Sequence, residues 1–117
     1  MNNLKNKVNL IGRLGVKPEI MMFETGRKLA RFSLATNDRY KDKNGEWRED
    51  VQWHNVNVWG KAADRVEKLL DKGQEILLDG KISYQSYENN QGETRYSTVI
   101  EGIDFVLLNK PTGEAKA

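Results

Sequence analysis

The chain has 117 residues, of which 31% are charged and 38% hydrophobic, and its formal net charge is +2. This composition predicts one soluble globular domain with a modest core, and no apolar run approaches the roughly 18 residues of a membrane helix. With no cysteine and a single histidine, the sequence argues against a disulfide framework or a metal site, so we expect no cofactor. The first ten residues lack the apolar stretch of a signal peptide, which predicts a cytoplasmic protein.

Strand-like runs with turn signals between them dominate the first half of the chain. Residues 5–15 and 28–40 alternate apolar with polar side chains, and an extended piece in residues 17–28 lies between them. The polar loop 41–49 contains an Asn-Gly pair, a hairpin signal that joins the preceding run to residues 51–59. Three strands are therefore predicted before residue 60.

One helix is predicted, over the segment GKAADRVEKLLDKG. Its apolar residues fall at i, i+4, i+7 and i+8 on one face: Ala62, Val66, Leu69 and Leu70. Gly73 is the expected C-terminal cap. Two long strands follow, in residues 74–87 and 94–108, with a glycine-containing loop between them.

The order of three strands, one helix and two strands matches the OB-fold, a five-stranded Greek-key barrel. We therefore predict an all-β protein with the helix between strands 3 and 4; a small sandwich is the alternative. Residues 1–108 form the predicted domain. Residues 109–117 have too little apolar content to pack, so we expect a flexible C-terminal end.

The segment VQWHNVNVWGK places two tryptophans on the same side of a strand as two amides: Trp53, Asn55, Asn57 and Trp59. Burying the amides unpaired would cost roughly 1–3 kcal/mol each, so we expect this face to lie partly in solvent. Exposed indoles form a platform on which any nucleobase can stack, at roughly 1–3 kcal/mol per base. The alternative is that a loop or another subunit covers them.

Cationic residues cluster although the net charge is small. The segments GRKLARF and RYKDK together carry six cations and one acid. Such a stripe suits binding to a polyanion, but charge alone is weak evidence.

Five segments, in order along the chain, resemble the bacterial single-stranded DNA-binding protein family: KVNLIGRLGVKPE, ARFSLATNDRY, WHNVNVWGKAA, LLDKGQEILLDGKI and NNQGETRYSTVI. Each is modest alone, but together they cover nearly the whole predicted domain at family-like spacing. The resemblance implies an OB-fold homotetramer that wraps single-stranded DNA without sequence preference. It also implies a role in DNA replication, recombination and repair on the nucleoid in the cytoplasm, as a binding protein and not an enzyme.

The resemblance further implies which residues bind. The base-stacking positions of the family correspond to four aromatic residues: Tyr40, Trp53, Trp59 and Tyr87. Family members often carry tryptophan at the first and last of these positions and phenylalanine at the third. Six cations are the predicted phosphate contacts, and the four lysines among them have counterparts in the family: Arg31, Lys41, Lys43, Lys61, Lys72 and Arg95. His54 follows the parity of the core valines, and the resemblance places it near a subunit contact, so we expect it at the oligomer interface.

Two features of the chain depart from the family. The segment SYQS stands before Tyr87, where family members commonly have basic residues, which predicts a weaker hold on phosphates in this hairpin. The acidic tip that recruits replication and repair proteins in the family is absent, so no such partner is carried over. A membrane partner is not expected.

Three aromatic residues are not assigned by the resemblance. Trp47 lies in a polar loop, where it either contacts DNA or covers Trp53. Tyr84 shares the parity of Ile82 and is predicted in the core, and Tyr96 is undecided. Two other functions stay open on the sequence alone: an RNA-binding OB-fold module, and an adaptor whose aromatics are buried at a protein interface.

Overall fold

Six strands and one helix make up the fold in the computed structural model, which describes residues 5–108. Their bounds in chain order are β1 Val8–Leu14, β2 Glu19–Met22, β3 Lys28–Lys41, β4 Trp47–Trp59, α1 Lys61–Leu69, β5 Glu75–Glu88 and β6 Thr94–Leu107. The predicted flexible end at 109–117 lies outside the described residues.

Five of the strands close into a barrel. Neighbouring strands follow the order β1-β5-β6-β4-β3, and pairing of β1 with β3 closes the ring. The pairs are antiparallel except for β4 with β6, which run parallel over three residues. The helix α1 connects β4 to β5, the third and fourth strands of the barrel, so the predicted OB-fold is confirmed.

The short strand β2 continues the course of β1 along the same edge of β3. β1 pairs with β3 at residues 34–35, and β2 pairs with it at residues 28–31. The break between them contains Pro18, which has no backbone NH to donate to a sheet. The chain therefore has six strand segments but a barrel of five strands.

The barrel core is built from alternate residues of the long strands. Leu34 of β3, Val56 and Val58 of β4, and Ile76 and Leu78 of β5 are each at most 1% exposed. Because neighbouring residues of a strand point to opposite sides, the same alternation puts the odd-numbered residues of β4 outside the barrel.

The helix packs on this core through a different stripe from the predicted one. Ala63, Val66 and Leu70 are buried, whereas Leu69 is 46% exposed. The prediction was wrong at Leu69 because the buried stripe runs i, i+3, i+7 from Ala63. Gly73 has a φ of 84° but lies in the turn after the helix, whose C-cap is Leu70.

An ion-pair cluster holds α1 against β3. The Nζ of Lys28 lies 2.7 Å from Oδ1 of Asp64 and 2.5 Å from Oε1 of Glu67. Hydrogen bonds to these two carboxylates raise the pKa of Lys28, and the Lys28 bond lowers the pKa of Asp64. Lys28 is therefore already engaged within the chain.

Two hairpins run past the end of the barrel, and we call them the β3–β4 arm (residues 36–52) and the β5–β6 arm (residues 84–98). Both end in the same five-residue turn, with a glycine in the left-handed region at its fourth position. The side-chain oxygen of Asp42 accepts the NH groups two and four residues later, both at 2.9 Å. Asn89 does the same in the other arm, at 2.9 and 3.0 Å.

Candidate nucleic-acid interface

The three tryptophans of the chain all lie on one side of β4. Trp47, Trp53 and Trp59 stand directly opposite Lys41, Ala35 and Leu29 of β3. We call the surface formed by the odd-numbered residues of β3 and β4 the outer face. At a strand rise of about 3.4 Å per residue, neighbouring tryptophans are about 20 Å apart along it.

Trp53 lies near the middle of the outer face and is 61% exposed. Its indole lies over Gly15, where an added Cβ would come within 2.5 Å of Cζ3 of the ring. The neighbouring Asn55 is exposed and Asn57 half-buried, so their amides reach solvent as the sequence predicted. No segment of residues 5–108 covers the ring.

Trp59, at the other end of the predicted pair, is half-buried. Its ring stacks on Phe23 at a centroid distance of 5.8 Å, and the guanidinium carbon of Arg27 lies 4.1 Å from its centroid. Both contacts come from the β2–β3 turn. A base that stacks on Trp59 therefore competes with Arg27 for the ring, whereas Trp53 is open.

The structure does not bring the two predicted tyrosines onto the outer face. Tyr40 is 52% exposed and pairs with Arg48, on the opposite side of the β3–β4 arm. Tyr87 is 56% exposed and pairs with Arg95 on the β5–β6 arm. Residues that stand directly opposite each other on paired strands share a side of the sheet, and the β3 residues opposite the three tryptophans are odd-numbered. Tyr40 is even-numbered, so it lies on the other side of the sheet from the tryptophans.

A groove connects the outer face to the side of the β5–β6 arm that carries Tyr87. Its volume is about 510 Å³. The polar residues that line it from these two surfaces are Arg31, Ser33, Asn55, Asn57, Gln85 and Ser97. Tyr87 is two residues beyond Gln85 on the same side of β5 and therefore continues the groove wall.

Five of the six predicted phosphate contacts form no ion pair within residues 5–108. Arg31 lines the groove, and Lys41 lies opposite Trp47 on the outer face. Lys43 is in the turn of the β3–β4 arm, and Lys61 begins α1 beside Trp59. These cations can pair with phosphate without breaking an internal ion pair.

Lys72 is the fifth cation and lies in the turn after α1. The next residue, Gly73, donates its NH to the carbonyl of Leu14 at 2.8 Å, which brings this turn near Gly15 under Trp53. The sixth cation, Arg95, has a guanidinium 3.2 Å from the carboxylate of Glu93. Both side chains are more than half exposed, and such pairs contribute little, so Arg95 can exchange Glu93 for a phosphate.

The sequence prediction left three residues of this surface out of its assigned contacts, although it counted Arg27 and Arg39 in the cationic stripe and left Trp47 open between DNA contact and a cover for Trp53. Arg27 and Arg39 make cation–π contacts with tryptophan rings, and Trp47 is 61% exposed on the outer face. The signal available in the sequence was their odd numbering, since Trp47 begins β4, Arg39 lies in β3 and Arg27 directly precedes β3. The face also carries an acid, Glu49, which stands opposite Arg39 and accepts a hydrogen bond from Asn37 at 3.2 Å.

Tyr84 was predicted in the core, and this prediction was wrong. Tyr84 and Tyr96 are 74% and 75% exposed, on the side of the β5–β6 arm away from Tyr87. The parity was correct, because Ile82 and its partner Ile100 on β6 do pack in or against the barrel core. However, the strand has left the barrel by residue 84, so the inward side of the arm faces solvent.

His54 is half-buried, and its Nε2 lies 3.0 Å from Oγ1 of Thr36. A wide hollow of about 790 Å³ lies beside it, with Ile11 and Val51 in its lining. These two side chains are 56% and 44% exposed, whereas seven of the eleven residues that line the hollow are polar or charged.

Residues 5–108 contain no cluster of three or more His, Asp or Glu side chains able to hold a metal ion. In the same part of the chain, no helix has the length and apolarity to cross a membrane.

A barrel of this topology, with open indoles, unpaired cations and an adjoining groove, defines an OB-fold domain of the oligonucleotide-binding class. Residues 5–108 match the single-strand binding protein family, and the chain belongs to this family.

Two relatives show how far the similarity extends. The chain is 36% identical to single-stranded DNA-binding protein 1 of Chlorobaculum tepidum over 104 residues. The aligned region covers 88% of this chain and 64% of that protein. It is 42% identical over 110 residues to the single-stranded DNA-binding protein of Bacteroides thetaiotaomicron, over 92% of this chain and 68% of the relative. The match therefore spans about two thirds of each relative.

Solved structures agree in fold. The Plasmodium falciparum SSB in complex with ssDNA superimposes with a TM-score of 0.81 at 32% identity, over 93% of this chain and all of that one. A deletion mutant of the single-stranded DNA binding protein from Thermus aquaticus gives 0.78 at 30% identity, over 89% of this chain and 50% of that one.

Proposed function

We propose that this protein binds single-stranded DNA without sequence preference, and coats and protects it during replication, recombination and repair. One observation carries the proposal: Trp53 is 61% exposed on an outer face whose cations form no ion pairs with any part of residues 5–108. Membership in the single-strand binding protein family supports it, as does the similarity to a structure that holds ssDNA.

The chemistry of the surface accounts for binding without sequence preference. Every base has a π-face, so stacking on an indole or phenol ring is indifferent to base identity. Pairing of arginine and lysine with phosphate is indifferent to sequence as well. Duplex bases are already stacked on one another, whereas those of a single strand can splay onto a protein ring, so the surface selects single strands.

A path for the strand follows from the positions of the predicted residues. It runs over Trp53 and Trp59, passes Arg31 in the groove, and reaches Tyr87 and Arg95 on the β5–β6 arm. Tyr40 takes a base on the other side of the β3–β4 arm, with Lys43 at the tip. Lys61 and Lys72 flank the two tryptophans from either end of α1.

We further propose that the protein is a homotetramer and that His54 lies at a subunit interface. Ile11, an apolar side chain that is 56% exposed beside His54, supports this assignment. Four copies let one strand wind over several platforms, so each later contact forms at a raised effective concentration. The proposed location is the cytoplasm, on the nucleoid, and the proposed activity is binding without catalysis.

Fluorescence titration tests the function, because tryptophan emission reports directly on the outer face. Adding oligo-dT at low salt is expected to quench the emission strongly, and affinity should fall with salt at a slope near −0.7 per phosphate neutralised. Absence of quenching and binding would favour an adaptor with aromatics buried at a protein interface. Poly-U that competes as well as poly-dT would favour an RNA-binding module instead.

A further inference from the structure

We propose that Trp47 is a third stacking position on β4, and that bound DNA continues along the β3–β4 arm beyond the barrel. The proposal rests on the function proposed above and extends the binding surface to Trp47, a residue that the family resemblance does not assign.

The spacing of the tryptophans is the first argument. β4 begins at Trp47, ends at Trp59 and has Trp53 at its midpoint, with all three on the outer face. The row is about 40 Å long, with steps of about 20 Å. At that separation Trp47 does not reach Trp53, and both residues are 61% exposed. Of the two roles that the sequence left open for Trp47, covering Trp53 is therefore excluded.

The cations around Trp47 are the second argument. The guanidinium carbon of Arg39 lies 5.4 Å and the Nζ of Lys41 5.6 Å from the centre of its ring. Neither side chain forms an ion pair within residues 5–108. A base that displaces these two cations from the Trp47 ring would therefore leave both charges free to pair with its flanking phosphates.

The same combination recurs along the outer face. Trp59 has Arg27 on its ring, and Arg31 lies on β3 between the positions opposite Trp53 and Trp59. Indoles on β4 with cations beside them on β3 and in the β2–β3 turn fit a polymer that alternates base and phosphate. They have no role in the barrel core, from which all of these side chains point away.

The tip of the arm is ordered enough to present the ring. Arg48 donates from Nε to Oδ2 of Asp42 at 2.8 Å, on the side of the arm away from Trp47. The other carboxylate oxygen of Asp42 holds the turn through two NH groups. Trp47 therefore projects from a hydrogen-bonded hairpin, which limits the conformational entropy lost when a base stacks on it.

Single-tryptophan variants separate the three rings. The double variant Trp53→Phe/Trp59→Phe leaves Trp47 as the only tryptophan. Saturation with an oligo-dT of about 16 nucleotides, the upper site size of one OB-fold, is expected to quench its emission. Unchanged emission while fluorescence anisotropy of labelled DNA shows full binding would overturn the proposal.

Affinity gives the second measurement, on otherwise unmodified protein. Trp47→Ala should weaken binding of the same oligonucleotide about fivefold to a hundredfold, and Trp47→Phe, which keeps a ring, should lose less. Tyr84→Ala removes an even more exposed aromatic residue from the side of the other arm that faces away from the groove, and should leave the affinity for DNA unchanged. Thermal melting checks that each variant is folded.

The outcomes distinguish this proposal from the one on which it rests. Loss of affinity in Trp53→Ala but not in Trp47→Ala would remove Trp47 from the surface and leave the proposed function standing. Failure of the unmodified protein to bind oligo-dT would remove both.

Discussion

Replacing Gly15 by alanine should change the orientation of the Trp53 ring without removing the ring. The new Cβ would lie 2.5 Å from Cζ3 and 2.8 Å from Cη2 of the indole, whereas ordinary contact begins at 3.4 Å. The ring edge must therefore retreat by about 1 Å from the surface on which it rests. Gly15 does not have a positive φ, so alanine fits its backbone conformation.

The expected cost falls on binding and not on folding. Because the indole is 61% exposed, it can tilt into solvent, and the smaller backbone entropy of alanine offsets part of the strain. We expect the free energy of unfolding to change by less than about 1 kcal/mol. Tilting should cost part of the 1–3 kcal/mol of a stacked base, about 1 kcal/mol or roughly a fivefold higher Kd for oligo-dT.

Gly12 provides a matched control three residues earlier. A Cβ there would lie 2.3 Å from the carbonyl oxygen of Ala35, and this backbone atom cannot tilt away. Gly12→Ala should therefore lower the free energy of unfolding by about 1–3 kcal/mol, while the folded fraction binds DNA normally. Chemical denaturation and fluorescence anisotropy with labelled oligo-dT measure the two quantities on both variants.

Two results would refute the reasoning. If Gly15→Ala bound DNA as tightly as the unmodified protein while Trp53→Ala lost affinity, the orientation set by Gly15 would be irrelevant to stacking. If Gly15→Ala lost as much stability as Gly12→Ala, Trp53 would be part of the packed structure and not an open platform.

Three further substitutions address the arm, the charge of the outer face and the assembly. The hydrogen bond from Arg48 lowers the pKa of Asp42, so the Asp42 carboxylate stabilises the fold at pH values above its pKa in the unfolded chain. At neutral pH the unmodified protein should therefore melt at a higher temperature than Asp42→Asn. This difference should disappear as the pH falls through the pKa of Asp42 in the folded protein. Glu49→Gln removes a negative charge beside the proposed DNA path, so affinity for oligo-dT should rise up to about fivefold at low salt, and the gain should vanish at high salt. His54→Ala removes the bond to Thr36 at the proposed interface, and light scattering should show a lower mass; an unchanged mass would place the interface elsewhere.

Alternation along the strands was sufficient to predict the barrel core and the open tryptophan face. Val56 and Val58 are buried and Trp53 is exposed because a strand with one side in a core must place its odd and even residues differently. Alternation does not show where a strand leaves the barrel, however. Tyr84 has the parity of Ile82 and yet lies in solvent, because nothing in the described chain packs on that side of the arm.

Contacts between distant segments lay beyond sequence reasoning. Arg27 reaches Trp59 only because the β2–β3 turn folds back beside the end of β4. Gly15 lies under Trp53 because β1 ends against β3, so the glycine that seats the indole is remote from it in sequence. Periodicity correctly predicted a helix, but it placed Leu69 in the buried stripe. A stripe that begins at Ala62 and one that begins at Ala63 share Val66 and Leu70, so the apolar pattern hardly distinguishes them.

The central claim is that unpaired bases stack on the outer face of β3 and β4. Photo-crosslinking with an oligonucleotide that carries 5-iodouracil, followed by peptide mapping, tests this contact directly because the reaction favours a base that lies against an aromatic ring. We predict crosslinks at Trp53, with others at Trp47 and Trp59. Crosslinks confined to Tyr84 and Tyr96, or none at all on DNA-saturated protein, would contradict the account.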